Sequence, residues 1–325
     1  MRRPGYFFAY VLLALLISRV EWSDLHWDLR KSPQECCGQR YEIPLRTTYK
    51  GQKAKESHEF SLRSNAAVVL DVEEGEILFE KNVEQKFPVA SLTKLMSVLT
   101  FLETDPDLDD TAIITPTDAW RSGRAQLRVG EVLTLGDLLH ASLMSSSNRA
   151  TRALAHASGL SPSEFAAGMN RKAKELGLLS SFFCEPTGLD QRNRSSALDC
   201  ARLLYAALQD STIRSIAGKT FYQFNSLNGK KRRHRVGSTS KLLFSSLKVK
   251  GGKTGYNGAS GWCLGTLVEG DDGKEIVAVV LGAPSKRTRF REIRSIVKWS
   301  IRENATGSEE TIALGESGGT RAKVY

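Results

Sequence analysis

The sequence predicts an α/β (α+β) protein: an antiparallel sheet flanked by helices, with an all-helical subdomain in the middle. Three observations lead there. Strand-like apolar runs around tight turns lie near both ends of the ordered region, amphipathic helical patterns fill the interval, and one more helical pattern closes the chain. Pairing the first and last hairpins in one sheet, with the closing helix on one face and the helical middle on the other, buries every apolar set.

The elements follow in order. "NAAVVLDVEEGEILFEKN", from Asn65, has two apolar strands around Glu73–Glu74–Gly75 and reads as a hairpin. Pro88 ends the connection, and Ser91 to Glu103 reads as a helix. "TLGDLLHASLM" and "RATRALAHAS" are two more helices joined by "SSSN". "SPSEFAAGMNRKAKELGL" opens with Ser161 as N-cap, Pro162 at the first position and Glu164 closing a capping box. "SSALDCARLLYAALQ" continues the helical middle. Strands return in "FYQFNSLNGKKRRHRV", a hairpin around Asn228–Gly229, and in "SGWCLGTLVEGDDGKEIVAVVLGAP", a hairpin around Asp271–Asp272–Gly273. "KRTRFREIRSIVKWSI" is the closing helix. The crevice between sheet and helices is the natural place for a site.

Organisation along the chain comes from composition. Arg2 and Arg3 precede an uncharged, mostly apolar run from Tyr6 to Ile17. This is the layout of a signal peptide and is short for a membrane-spanning helix, so residues 1–20 are expected to be a signal peptide or N-terminal anchor and the protein to be exported, to the periplasm or the outer face of the cytoplasmic membrane. Residues 21–58 are charged and aperiodic and read as a tether, 59–302 as the ordered domain, and 303–325, rich in Gly, Ser and Glu, as a flexible tail. A net charge of +10 points to an anionic neighbour such as a membrane surface, more than to nucleic acid. Five cysteines fall in no metal-binding spacing. Cys36 and Cys37 are adjacent and able to cross-link chains in an oxidising compartment, whereas Cys184, Cys200 and Cys263 read as small buried apolar residues.

Three short patterns carry chemistry. Ser-x-x-Lys occurs at Ser91, Ser238, Ser245 and Ser295. Only Ser91 follows a Pro-containing loop and begins a long apolar helix. There the spacing puts Ser91 and Lys94 one turn apart on one face, amine near hydroxyl, with free N–H groups at the helix start. Ser-x-Asn occurs at Ser146–Asn148, between two helices, and at Ser226–Asn228, already used by a hairpin turn. Lys253–Thr254–Gly255 occurs once, ahead of a predicted strand, with Gly251, Gly252 and Gly255 leaving the backbone bare for a ligand.

Together and in this order the three patterns are far more specific than any one, and they match those of penicillin-binding proteins and class A β-lactamases. Between about Asn65 and Ile301 the chain resembles the low-molecular-mass D-alanyl-D-alanine carboxypeptidases, with "EPTGLD", "STSKLL", "GGKTGYNGASGWCL" and "VAVVLGAP" as further matches. Arg149 stands where that family usually has Asp, and "STSK" replaces the commoner Asn-Thr-Asn-Lys. The resemblance implies a β-lactamase/transpeptidase-like fold and peptidoglycan stem peptides ending in D-Ala-D-Ala as substrate. It also implies β-lactams as covalent inhibitors and no metal or organic cofactor. It makes Ser91 the nucleophile, Lys94 its base and Ser146 a proton carrier to the leaving group. Asn148 would hold the substrate amide, Lys253 and Thr254 the terminal carboxylate, and the backbone N–H groups of Ser91 and Tyr256, beside Gly255, the oxyanion. A lysine near pKa 10.4 becomes half neutral at pH ~7 only after a drop of roughly three units, or ~4 kcal/mol. Burial and a second cation, assigned to Lys253, push that way.

Two other readings stay open: a class A-like β-lactamase, and a β-lactam- or wall-binding module without turnover. The interval from Asn148 to Lys253 holds three glutamates, Glu164, Glu175 and Glu185, and none lies in the Glu-x-x-Leu-Asn pattern of the class A deacylating loop. The five histidines pair with no Asp and nucleophilic Ser and read as structural. "KKRRHR", 230–235, reads as a solvated hairpin arm, with contact to anionic wall polymer or lipid as its functional alternative.

Overall fold

The computed structural model describes Thr48–Tyr49 and residues 61–122, 127–270 and 272–316, with backbone alone from 303 onward. The expected leader 1–20, Cys36, Cys37, His26, His58 and the tether apart from Thr48–Tyr49 lie outside the described residues, as do the tail residues from 317.

Six strands make the main sheet, in the order Thr48–Tyr49, Glu76–Lys81, Ala66–Asp71, Glu275–Ala283, Gly261–Glu269, Lys248–Asn257. The first and last hairpins pair antiparallel, Val277 opposite Leu70 and Val279 opposite Val68, as the sequence predicts. Thr48–Tyr49 runs parallel to Glu76–Lys81, so the stretch read as a tether contributes a short strand. The opening turn is set locally: the Asp71 carboxylate accepts from the N–H groups of Glu73 and Glu74, and Gly75 has φ +66°.

Strand alternation sends successive residues to two cores. Ala66, Val68, Leu70, Val277 and Val279 join the core under the helices. Ala67, Val69, Ile276, Ala278 and Val280 meet Phe290, Ile293, Ile296 and Val297 of the closing helix. Those four recur at helical spacing, which gives the closing helix one apolar stripe. With both faces covered, the strands read as nearly continuous apolar runs.

The helical layer comprises Thr93–Leu102, Leu135–Leu143, Asn148–Ala157, Pro162–Glu175 and Ala197–Gln209, followed by Ser211–Ala217. The capping box at Ser161 and Glu164 forms as its sequence predicts. The Asn228–Gly229 hairpin exists, but its strands Phe221–Asn225 and Arg233–Gly237 form a separate two-stranded sheet. Its turn is longer than a two-residue one because Asn228 is drawn aside: its side chain accepts from Val132 N–H and donates to the Gly130 carbonyl. The closing helix runs Lys286–Glu316, so the segment expected to be flexible from 303 begins as helix. Among the described residues no helix is long and apolar enough to cross a membrane.

Candidate active site

Ser91 sits in a single 3-10 turn, Ala90–Leu92, and the α-helix proper starts at Thr93, two residues later than the pattern suggests. Ala90 has φ +46°, a sparsely populated region for a residue with a Cβ. Gly188 is the reason this turn fits. A Cβ at Gly188, which has φ +80°, would lie 1.9 Å from the Ala90 carbonyl oxygen. The "EPTGLD" loop therefore lies directly on the Ser91 turn.

Lys94 follows on the buried side of the helix and is fully enclosed. Its Nζ lies 3.0 Å from Ser91 Oγ, 2.7 Å from Asn148 Oδ1 and 2.5 Å from the Thr187 carbonyl oxygen. Asn148 Oδ1 and Thr187 O can only accept. A neutral amine has two N–H bonds and one lone pair. Giving both N–H groups to those acceptors leaves the lone pair for the Ser91 hydroxyl, the arrangement a general base needs.

Glu185 holds Thr187 in place. Its carboxylate accepts from the Thr187 N–H (2.8 Å), the Thr187 hydroxyl (2.6 Å), the Gly188 N–H (2.6 Å) and Asn193 Nδ2 (3.1 Å). Asn193 in turn donates to Thr93 Oγ1 at the start of the helix. The sequence showed this loop only as a resemblance. Its service to Lys94 runs through a backbone carbonyl, which no residue type reports.

The opposite wall is the strand Lys248–Asn257, which is the edge of the sheet. Lys253–Thr254–Gly255 lies inside this strand, not ahead of one. Lys253 is buried, and its Nζ donates to Ser146 Oγ (2.8 Å) and the Thr254 carbonyl (3.0 Å). Ser146 has φ +61° at the helix junction, and Asn148 opens the next helix. Thr254 Oγ1 donates to Thr239 Oγ1 (2.6 Å), and Thr239 N–H and hydroxyl donate to Met144 O. "STSK" is thus the clasp between the edge strand and the Ser146 loop. Tyr256 is exposed, its ring 4.0 Å from that of Trp262.

The glycines of the edge strand do not leave a bare surface for ligand, as the sequence suggests, but face neighbouring protein. A Cβ at Gly251 would meet Leu208 at 2.9 Å, and one at Gly252 the Gly265 carbonyl at 2.6 Å. At Gly255 it would lie 3.0 Å from Val89 O and 3.1 Å from Ser91 N. They allow close packing against protein, and Gly255 sets the edge strand against the Ser91 turn. Arg289 of the closing helix completes the support, donating to the carbonyls of Gly255 (2.9 Å) and Cys263 (3.0 Å). Its guanidinium also lies over the rings of Trp262 and Phe290, 4.9 Å and 4.8 Å from their centroids. Arg149 donates to Ser122 Oγ and Leu127 O, tying the Asn148 helix to the preceding loop.

Both lysines lose proton affinity here. Burial lowers the Lys94 pKa to about 7, opposed by the Glu185 carboxylate and aided by Arg152. Lys253 is pushed well down by burial first, then by the Lys94 ammonium and by Arg289. The sequence assigned the second cation near Lys94 to Lys253. In the structure Arg152 takes that part, and the influence between the two buried amines falls on Lys253. If neutral Lys94 takes the serine proton, acylation should rise with pH through about 7 and level off above. The second-order rate of penicillin labelling from pH 5 to 9 checks this; a flat profile contradicts it.

Of the remaining sequence candidates, Cys200 and Cys263 are buried as expected, whereas Cys184 is half-buried. His140 stacks on Tyr222, and His156 and His234 face Asp118 and Glu131. All three lie apart from the bonds just described.

A model of the D-alanyl-D-alanine carboxypeptidase family matches residues 52–285. The D-alanyl-D-alanine carboxypeptidase DacF of Bacillus subtilis is 30% identical over 264 residues, covering 78% of this chain and 66% of its own length. A D-alanyl-D-alanine endopeptidase of Pseudomonas aeruginosa is 31% identical over 245 residues, covering 73% of this chain and 77% of its own. The chain thus spans about two thirds of the DacF relative. The solved structure of the Streptomyces K15 DD-transpeptidase superposes with a TM-score of 0.70 at 23% identity, over 75% of this chain and 98% of that one. It has the same fold.

Proposed function

The chain belongs to the D-alanyl-D-alanine carboxypeptidase family, and from that premise we propose that it is a serine-type carboxypeptidase removing the terminal D-alanine from peptidoglycan stem peptides through an acyl-enzyme on Ser91. The observation that carries this reading is the three-way seat of Lys94, which directs its lone pair at Ser91 Oγ. In the first step the Ser91 oxygen bonds to the carbonyl carbon of the penultimate D-alanine and its proton passes to Lys94. As the tetrahedral adduct collapses, the peptide bond breaks and a proton reaches the departing amine through Ser146, which Lys253 holds. Water then releases the shortened peptide. Lys253 and Thr254 take the terminal carboxylate, Asn148 the substrate amide, and the N–H groups of Ser91 and Tyr256 the oxyanion. The edge strand suits an extended peptide, which adds to it as a further strand. β-Lactams enter the same acylation step. The reading includes export and association with the membrane surface, supported by the basic balance and the N-terminal apolar run.

The test is D-alanine release from a D-Ala-D-Ala peptide in two variants. Lys253→Ala is expected to lose at least about tenfold more kcat/KM than Arg233→Ala, or ~1.4 kcal/mol of transition-state stabilisation. Arg233 is exposed, and its side chain donates to Gln223 Oε1. Equal losses would transfer substrate binding to the basic hairpin. A second reading, endopeptidase cleavage of D-alanyl cross-links, is favoured by the Pseudomonas relative, which aligns over more of its own length than DacF does. A cross-linked dimeric muropeptide offered beside the linear peptide separates the two.

A further inference from the structure

Between Ser211 and Val268 the chain carries eleven lysines and arginines and no aspartate or glutamate, while the whole chain is +10. This stretch therefore holds the basic excess, and the structure sorts its members. Arg214, Arg232, Lys248 and Lys250 meet carboxylates, and Lys253 is buried in the cleft. Lys219 Nζ lies 3.0 Å from His140 Nε2, and Lys241 is exposed at the start of the short turn Lys241–Phe244. Lys230, Lys231, Arg233 and Arg235 are exposed and face no carboxylate within ion-pair distance among the described residues. All four belong to the hairpin whose strands are Phe221–Asn225 and Arg233–Gly237.

Alternation divides this hairpin cleanly. Tyr222, Phe224 and Val236 turn inward against the core, and His234 is buried beside Glu131. Phe221, Gln223, Asn225, Arg233 and Arg235 turn outward. The outward face is not simply polar. Phe221 is 54% exposed beneath the Arg235 guanidinium, 5.1 Å from its ring, and Leu227 at the turn is 48% exposed. The turn is also pinned: Leu227 N–H donates to Val132 O, and the Asn228 side chain bonds Gly130 and Val132. The surface is thus preformed, with little ordering cost on docking.

We propose that the outward face of this hairpin docks on an anionic phospholipid surface, with Lys230, Lys231, Arg233 and Arg235 meeting headgroup phosphates and Phe221 and Leu227 entering the headgroup layer. A phosphate polymer asks only for cations and would leave the two apolar side chains wet. A bilayer interface takes both kinds of side chain. The consequence reaches the cleft. Two residues beyond Gly237, Thr239 bonds Thr254 beside Lys253, so a docked hairpin brings one wall of the site to the bilayer and favours stem peptides held near the membrane. This deepens the exported carboxypeptidase reading and rests on it for location, whereas binding itself is independent of turnover.

The full chain is mixed with phosphatidylcholine vesicles, with and without phosphatidylglycerol, and bound protein is measured by sedimentation. The apolar N-terminal run contributes to both vesicle types, so the hairpin is read from the preference between them. The full chain should prefer the anionic vesicles by at least about tenfold. Lys230→Gln/Lys231→Gln/Arg233→Gln/Arg235→Gln should lose that preference, and Phe221→Ser should weaken anionic-vesicle binding severalfold. A preference retained in the fourfold variant overturns the proposal. So does unchanged vesicle binding by Phe221→Ser combined with loss of polyphosphate binding in the fourfold variant, which marks a polymer-binding arm. Penicillin labelling of the same samples reports fold and cleft. Its absence in the unaltered chain would sink the catalytic reading without touching the vesicle result.

Discussion

Ser91→Ala should abolish penicillin labelling and reduce D-alanine release by about 10⁴-fold or more, the scale on which loss of a serine nucleophile is felt. The chain has three other Ser-x-x-Lys sequences, and the structure explains why none substitutes. Ser238 accepts from the Ser240 N–H, Ser245 donates to Leu242 O, and Ser295 donates to Arg291 O on an exposed helix turn. Among the described residues only Ser91 meets a lysine Nζ from its own motif, and of the four motif lysines only Lys94 is enclosed, Lys241, Lys248 and Lys298 being exposed. A Cβ-only side chain at 91 leaves the turn and the Lys94 contacts to Asn148 and Thr187 intact, so the loss is chemical. Thermal unfolding close to that of the unaltered chain checks this. Labelling that persists at another serine would move the nucleophile.

The second large effect concerns the fate of the penicilloyl enzyme. The adduct on Ser91 should outlast many turnovers of a D-Ala-D-Ala peptide. Rapid hydrolysis needs a base that activates water on the adduct, and the three glutamates between Asn148 and Lys253 are otherwise engaged. Glu164 closes a helix capping box through Ser161. Glu175 pairs with Arg171 and Lys172 at the far end of that helix. Glu185 comes nearest, but its two oxygens already accept from Thr187, Gly188 and Asn193. Its duty is to hold the loop whose carbonyl seats Lys94. Intact-mass analysis after removal of free penicillin gives the lifetime. Rapid multiple-turnover penicillin hydrolysis without D-alanine release would contradict the carboxypeptidase reading in favour of a β-lactamase.

Much of this was legible in the residues. The two sheet hairpins announced themselves by apolar runs broken at Glu73–Gly75 and Asp271–Gly273, and their pairing followed from the need to cover both faces. The serine helix showed as an apolar run behind Pro88. The edge strand did not, because "KVKGGKTGYN" combines three glycines with three lysines and has almost no strand propensity. It is a strand by virtue of its partner Gly261–Glu269. The same glycines suggested a bare surface for ligand, whereas they serve close packing against Leu208, Gly265 and the Ser91 turn. The support of the site was the least visible part. Thr187 acts through its carbonyl, Thr239 through a bond to a distant strand, and Arg289 from the closing helix. Each depends on contacts between segments far apart in the chain, which no local pattern encodes. The lowered pKa of Lys94 was legible as a requirement of the chemistry, and complete burial supplies it.

The central claim is that one hydroxyl, on Ser91, serves both peptide and β-lactam. It is tested most directly by measuring D-alanine release against the fraction of Ser91 acylated by penicillin, with peptide mapping to assign the site. The account predicts that release falls in proportion to Ser91 occupancy and vanishes at one equivalent. D-alanine release that continues with Ser91 fully acylated would contradict it.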